Sequence, residues 1–454
     1  MSDVRDPKEL FGSTPIPKLF FTAALPGAVG MLVSSIYNIM DGVLVGNFVG
    51  ENPFAAINLA MPFVIVLFAF GDLIGVGSAV PISIALGENR DDDANNIFTC
   101  SCIMNVATGA ILGALLWALA PTLFALIGAT GELARLATTY LRVYALFAPL
   151  TTIGYALDNY LRISGHIQRS LFANTFMAVF GSILEALLLA VFGLGVGAAA
   201  FAFSVAMVCG VGISLWPFLR GGLQLRFVAP RPSLADMAEI FRCGVSTFLD
   251  NITGRVTSVV MNAVLLRLGG ADAVAIYGMC MFAAGFVIPL VYGTLDALQP
   301  AVGYNWGARD FSRVKWLEIW CFGAVALLSL ATMAVLLAFP VPFVKLFMPG
   351  ATGQLLAEAV RALRLFALAL SVRWFAFGSQ SFLVNVGEAV PATVISVCTA
   401  FVFPLALIWL LWPLGLTGIW LNDLGNALLT SGLGVVLLLR LRTKVRAMRA
   451  QDPA

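Results

Sequence analysis

The chain has 454 residues, of which 60% are hydrophobic and 11% charged, with a mean hydropathy of +0.95. A soluble domain carries about 25% charged residues and must cover itself with polar groups, so a soluble fold is excluded and a polytopic membrane protein is expected. The net charge of +2 says nothing about nucleic acid, because the 26 basic residues are spread over loops rather than gathered in a patch.

The first 18 residues are polar and form an expected N-terminal tail (1–18). The apolar run after them continues straight into a full span, so no cleavable signal peptide is expected. A helical span needs about 20 apolar residues. Such stretches occur at 20–46, 54–86, 97–127, 135–164, 170–193 and 196–219. After a polar, proline-bearing linker (220–235) come 236–267, 272–304, 314–340, 358–386, 391–412 and 415–440, then a basic tail (441–454). None shows the period-2 alternation of a barrel strand. Ser233, three residues before Asp236, has the form of a helix N-cap.

The two runs of six repeat one another. Val49-Gly50, Ala55-Ala56-Ile57, Pro81 and Leu86-Gly87-Glu88 answer to Leu268-Gly269, Val274-Ala275-Ile276, Pro300 and Trp306-Gly307-Ala308, at an offset of 219–220. Leu141-Arg142, Gly165 and Gly193-Leu194 answer to Leu363-Arg364, Gly387 and Gly415-Leu416 at 222. Six is an even number, so the halves run parallel about an axis along the membrane normal. The expected fold is therefore all-α: twelve transmembrane helices in two pseudo-symmetric six-helix lobes (19–219 and 236–440) around a central cleft. Counting basic residues by side puts 18 of the 26 with both termini, so the termini are expected to be cytoplasmic and the chain to sit in the inner membrane.

Catalysis finds little support. The single histidine, His166, lies in a polar loop (164–170), no Walker A sequence occurs, and seven scattered cysteines make no CxxC pair, so neither metal site nor cofactor is expected. The informative residues are acids inside the spans, because a charge at the bilayer centre costs about 2.5–3.5 kcal/mol on insertion scales. Asp41 lies in the first span with no basic residue between Lys18 and Arg90, and Glu185 lacks a local partner in the fifth. Both belong to one half, which allows them to share one cavity. Asp158 has Arg162 at i+4 and a structural reading through that pair. Asp72, Asp250, Asp296, Arg255 and Arg373 carry weaker signals. Pro26 removes a backbone hydrogen bond in the Asp41 helix, giving either a movable bend or a static kink.

The segment Leu25-Pro26-Gly27 through Tyr37-Asn38-Ile39-Met40-Asp41-Gly42, then Val45-Gly46, resembles the first helix of multidrug and toxic compound extrusion (MATE) transporters. Gln299-Pro300 and Gly303-Tyr304-Asn305-Trp306-Gly307-Ala308 resemble the end of their eighth. The resemblance implies alternating access and export of amphipathic, often cationic drugs in exchange for H⁺ or Na⁺. It implies coupling through Asp41, with Glu185 as the fifth-helix acid, although the asparagine of that motif is Gly181 here. Tyr37, Asn58, Asp158, Asp250 and Gln299 become cavity candidates and Pro26 a helix-bending residue. The tenth span carries Arg373 and Gln380 but no carboxylate, so coupling is expected in the N-terminal lobe, with protons favoured over sodium. The expected partners are drug-like small molecules and membrane lipid, with no nucleic acid and no obligate protein partner, in a monomer. A lipid-linked oligosaccharide flippase is the alternative, for which a more basic central cavity is expected.

Overall fold

The computed structural model describes residues 7–48 and 51–451, and within them the side chains of all but residues 38, 39, 42, 43, 46, 51, 52, 54 and 449–451. The side chains of the motif residues Asn38 and Ile39 lie outside the described residues, as does the repeat landmark Val49-Gly50.

Twelve long helices make up the described chain: α1 (Ile16–Phe48), α2 (Glu51–Gly87), α3 (Asp91–Leu126), α4 (Gly131–Ile163), α5 (Ile167–Val191) and α6 (Val196–Arg220), then α7 (234–269), α8 (271–296, resuming as Gln299–Gly307), α9 (Phe311–Ala338), α10 (Gly353–Asn385), α11 (389–411) and α12 (Gly415–Gln451). No strand occurs among the described residues. In lipid each backbone N–H and C=O has to be satisfied within its own segment, which leaves the helix as the form these apolar runs can take. Most helices begin several residues outside the apolar run, because polar residues complete their first turns.

The turns carry the repeat into the backbone. Gly131, Gly165 and Gly193 have φ of 61°, 75° and 62°, and Gly353, Gly387 and Gly415, 222 residues on, have 55°, 75° and 58°. Asn89 and Arg309, 220 apart, are both left-handed without being glycine (φ 59° and 58°). The linker ends where Ser233 Oγ accepts from the backbone N–H of Ala235 and Asp236 (3.2 and 3.5 Å), so α7 starts at the expected cap. Gly270 (φ 64°) divides α7 from α8.

Two terminal segments differ from the expectation. Within the tail at 1–18, Pro7–Gly12 forms a short helix whose Leu10 and Phe11 are buried. At the other end, α12 does not stop at 440 but runs to Gln451. Its last turns carry Arg440, Arg442, Lys444 and Arg446, cations that the negative end of a helix dipole favours.

The lobes meet on the face that carries both termini. α1 crosses α8 at Gly27 and Gly293, α2 crosses α7 at Gly77 and Gly244, and α2 crosses α8 at Gly87 and Gly307, each glycine facing main chain of the other helix. The short helix ties in here: Asn305 Nδ2 and Arg313 Nε donate to Phe11 O (3.0 and 2.8 Å). Towards the opposite face the N-terminal lobe keeps a core of its own, in which Leu44, Ile57, Val64, Phe124, Tyr140 and Val196 pack together with, among the described residues, no hydrophobic side chain of the other lobe. The cleft between the lobes is thus closed at the termini face.

Candidate functional site

Tyr37 and Asp41 are one turn apart on α1, and Gly181 and Glu185 one turn apart on α5, so each pair shares a helix face. The two faces meet. The Asp41 carboxyl faces that of Glu185, while Glu185 is fully buried and neither of its oxygens has a hydrogen-bond partner among the described residues. Two carboxylates offer acceptors only, so a hydrogen bond between them needs a proton on one. Tyr140 and Tyr144 of α4 stand beside the pair, their rings 5.1 Å apart. The buried hydroxyl of Tyr37 has no partner among the described residues. Gly181 faces the Tyr37 ring, and a β-carbon there would lie 3.1 Å from it, so the ring takes the space an asparagine would need. Directly after Glu185, α5 widens into a π-turn at Leu187–Val191, a distortion frequent at functional sites.

Tyr37 also lines a cavity of about 240 Å³ within the N-terminal lobe, together with Tyr155, Asp158, Arg162, Asn174 and Phe203. Asp158 accepts hydrogen bonds from Arg162, from Ser170, and from Asn174 at 2.9 Å. The i,i+4 pair read from the sequence therefore forms, and it forms on a cavity wall.

A second cavity, of about 390 Å³, lies between the lobes and shares Tyr155, Asp158 and Arg162 with the first. Its wall adds Asp72 from α2, Asp250 from α7, Asp296 and Gln299 from α8, and Gln380 from α10. Tyr292 Oη donates to Asp250 (3.4 Å) and Ser381 Oγ to Asp296 (3.5 Å). Asp72 makes no hydrogen bond to a described residue. Four aspartates thus stand around one arginine, an arrangement that attracts and orients a cation.

The structure brings Asp41 to Glu185 and gathers Asp158, Asp250 and Gln299 at the interlobe cavity. Tyr37 lines the N-lobe cavity and also lies beside the acid pair. Asn58 is the exception: it is exposed on α2 and lines neither cavity. Pro26 sits inside an unbroken α1, next to the Gly27–Gly293 crossing. Asp72 and Asp296, weak from the sequence, line the interlobe cavity from opposite lobes. Their signal was an intramembrane carboxylate without a basic residue one turn away. Asp423 on α12, 50 residues from Arg373 and so beyond the reach of sequence spacing, takes the charge of that arginine at 2.8 Å, while Arg255 is exposed.

A family model described as MatE matches residues 26–187 and 247–410, one block in each lobe. The chain belongs to the MatE family. Among its relatives, the multidrug export protein MepA of Staphylococcus aureus (strain NCTC 8325 / PS 47) is 26% identical over 301 residues, 66% of each chain. The chain thus spans just under two thirds of the length of that relative. MepA of Staphylococcus haemolyticus (strain JCSC1435) is 25% identical over 414 residues, 90% of each chain. The fold matches that of a solved multidrug resistance MATE family transporter of the MOP superfamily in an outward-facing conformation, with a TM-score of 0.88, 22% identity and 98% of both chains covered. Family and fold agree with the twelve-helix, two-lobe architecture.

Proposed function

We propose that this MatE-family chain is a secondary antiporter that exports amphipathic, cationic small molecules in exchange for protons by alternating access. The observation that carries the reading is the acid-rich cavity between the lobes, where Asp72, Asp158, Asp250 and Asp296 outnumber Arg162. Tyr155 and Tyr292 supply the apolar faces that a drug-like cation needs beside those charges. The same wall disfavours a lipid-linked pyrophosphate, whose charge would face the aspartates, so the flippase reading loses its basis.

The Asp41–Glu185 pair is the coupling element in this scheme. A proton entering from the open face is held between the two carboxyls and lost to the other side after the lobes rock. Sodium would need several oxygen ligands, and the family's asparagine is absent at Gly181. Two-state rocking needs each ligand to favour a different state. The drug-bound form opens away from the termini face and the proton-bound form returns. Both termini are then cytoplasmic, in keeping with their basic loops, and the membrane is the inner one.

Purified protein in liposomes, loaded with a cationic dye and given an imposed pH or sodium gradient, tests the reading. Dye flux driven by the pH gradient and abolished in Asp41→Asn is expected. Undiminished pH-driven flux in that variant, or flux that follows sodium alone, would overturn it.

A further inference from the structure

The repeat places two corresponding pockets at the termini face, one in each lobe, and the chain treats them differently. In the N-terminal lobe, α6 ends at Gly221 (φ 69°) and the chain turns back over α3. Leu225 is fully buried there, and the Phe227 ring lies 4.8 Å from that of Phe98. Three side chains of α3 hold this extended segment by its backbone. Asn95 Oδ1 accepts from Arg226 N (2.7 Å), Thr99 Oγ1 from Val228 N (3.1 Å) and Asn96 Oδ1 from Arg231 N (2.7 Å).

In the C-terminal lobe α12 continues as a helix instead of turning back. The corresponding space, between α9, α10 and α12, is a groove of about 750 Å³ walled by Phe322, Phe375, Phe382, Val435 and Leu438. At the repeat offset of 220, Asn95 becomes Lys315, Asn96 becomes Trp316 and Thr99 becomes Ile319. None of these offers an acceptor to a backbone N–H, so a peptide strand would bury its donors unpaired here, at a cost. An acyl chain has no such donors. The groove also gains charge: Lys315, Arg442 and Arg446 line its termini-side end, and none forms an ion pair with a described residue. Glu318 projects into the same groove one turn beyond Lys315, so three cations face one carboxylate.

We propose that this groove is a binding site for an anionic phospholipid of the leaflet on the termini side. One acyl chain lies along Phe322, Phe375 and Leu438, and the phosphate sits among Lys315, Arg442 and Arg446. The lipid takes the place that the chain's own linker takes in the other lobe. Because Phe322 and Phe382 also wall a small void beside Ser381, which itself lines the interlobe cavity, the bound chain buttresses α10 behind the transport site.

Native mass spectrometry of the full chain in detergent, offered equal phosphatidylglycerol and phosphatidylcholine, tests this. Retention of phosphatidylglycerol is expected to exceed that of phosphatidylcholine about tenfold, and to fall to parity in the triple variant Lys315→Gln, Arg442→Gln, Arg446→Gln. Should the triple variant fail to fold, Arg446→Gln alone reads the same effect in smaller measure. The control Arg220→Gln, Arg226→Gln, Arg231→Gln, at the other lobe, is expected to keep the preference. Equal retention of both lipids by the unmodified protein, or an undiminished preference in the triple variant, would overturn the site. Displacement by inorganic phosphate irrespective of acyl length would reduce it to an anion site and overturn the acyl assignment.

Discussion

Gly87 of α2 and Gly307 of α8 close the termini face reciprocally. A methyl group on Gly87 would lie 2.0 Å from the carbonyl oxygen of Tyr304, and one on Gly307 would lie 2.2 Å from that of Ile84. The two residues hold corresponding places in their halves, so the seam is itself two-fold. Small residues permit such backbone approach between membrane helices, and neither carbonyl can yield without moving its helix.

Gly87→Ala is therefore expected to open this seam. Overpacking costs about 1–3 kcal/mol, which corresponds to roughly 5- to 150-fold in the balance between closed and open states. The readout is a cysteine introduced at Ser83, which is buried at the seam. In a background lacking the native cysteines, its reaction with a water-soluble maleimide added from the termini side should accelerate at least about fivefold. An unchanged rate would mean that the seam does not set the equilibrium.

The proximity of Asp41 and Glu185 is expected to make their substitutions non-additive. If one proton serves both carboxyls, removing either group removes the shared site, and removing the second changes little more. Asp41→Asn and Glu185→Gln should each lower pH-driven dye flux by about tenfold or more, and the double variant should fall no further. Coupling between touching residues runs at about 0.5–3 kcal/mol, so a double variant that multiplies the two single losses would show that the carboxyls act independently.

Asp72 and Asp296 face one cavity from opposite lobes. Each is expected to contribute charge attraction to a cationic substrate of about 1–2 kcal/mol in a partly solvated cavity. Asp72→Asn and Asp296→Asn should each weaken binding of a monocation about tenfold, leave a neutral drug of similar size nearly unaffected, and leave the pH-coupled step intact. Titration of fluorescent dyes of both kinds against the purified protein separates the outcomes. Equal losses for charged and neutral dyes would point to a packing role.

Much of this architecture is legible in the sequence because a bilayer admits few backbone solutions. Long apolar runs have to be helices, and the matched glycines at Gly165 and Gly387 recur because both halves use the same left-handed turn. The acid pair is also legible, since Asp41 and Glu185 stand out against uncharged surroundings. What sequence spacing cannot give is which helices touch. Asp72 and Asp296 gain meaning only from the crossing of α2 and α8, which brings two lobes to one cavity. Asn58 lines neither cavity for the converse reason: a polar residue near a helix end is equally at home at the membrane surface. Helix ends escape as well, because hydropathy falls where α12 turns basic although its backbone continues to Gln451.

The pairing of Arg373 with Asp423 accounts for a charge that would otherwise lie unmatched inside the C-terminal lobe. Arg373 Nη2 approaches Asp423 Oδ1 at 2.8 Å, with side-chain exposures of 12% and 29%. Breaking a buried pair from one side costs about 3–5 kcal/mol, and the partial exposure of Asp423 argues for the lower end. Arg373→Ala is thus expected to destabilise the protein by roughly 3 kcal/mol, lowering the melting temperature in detergent by several degrees. The double variant Arg373→Ala, Asp423→Ala should recover part of that loss, because it removes the stranded carboxylate along with the arginine. Substrate binding at the interlobe cavity should survive in the double variant, since neither residue lines it. Lost dye binding in a double variant that melts normally would instead assign Arg373 a role at the cavity.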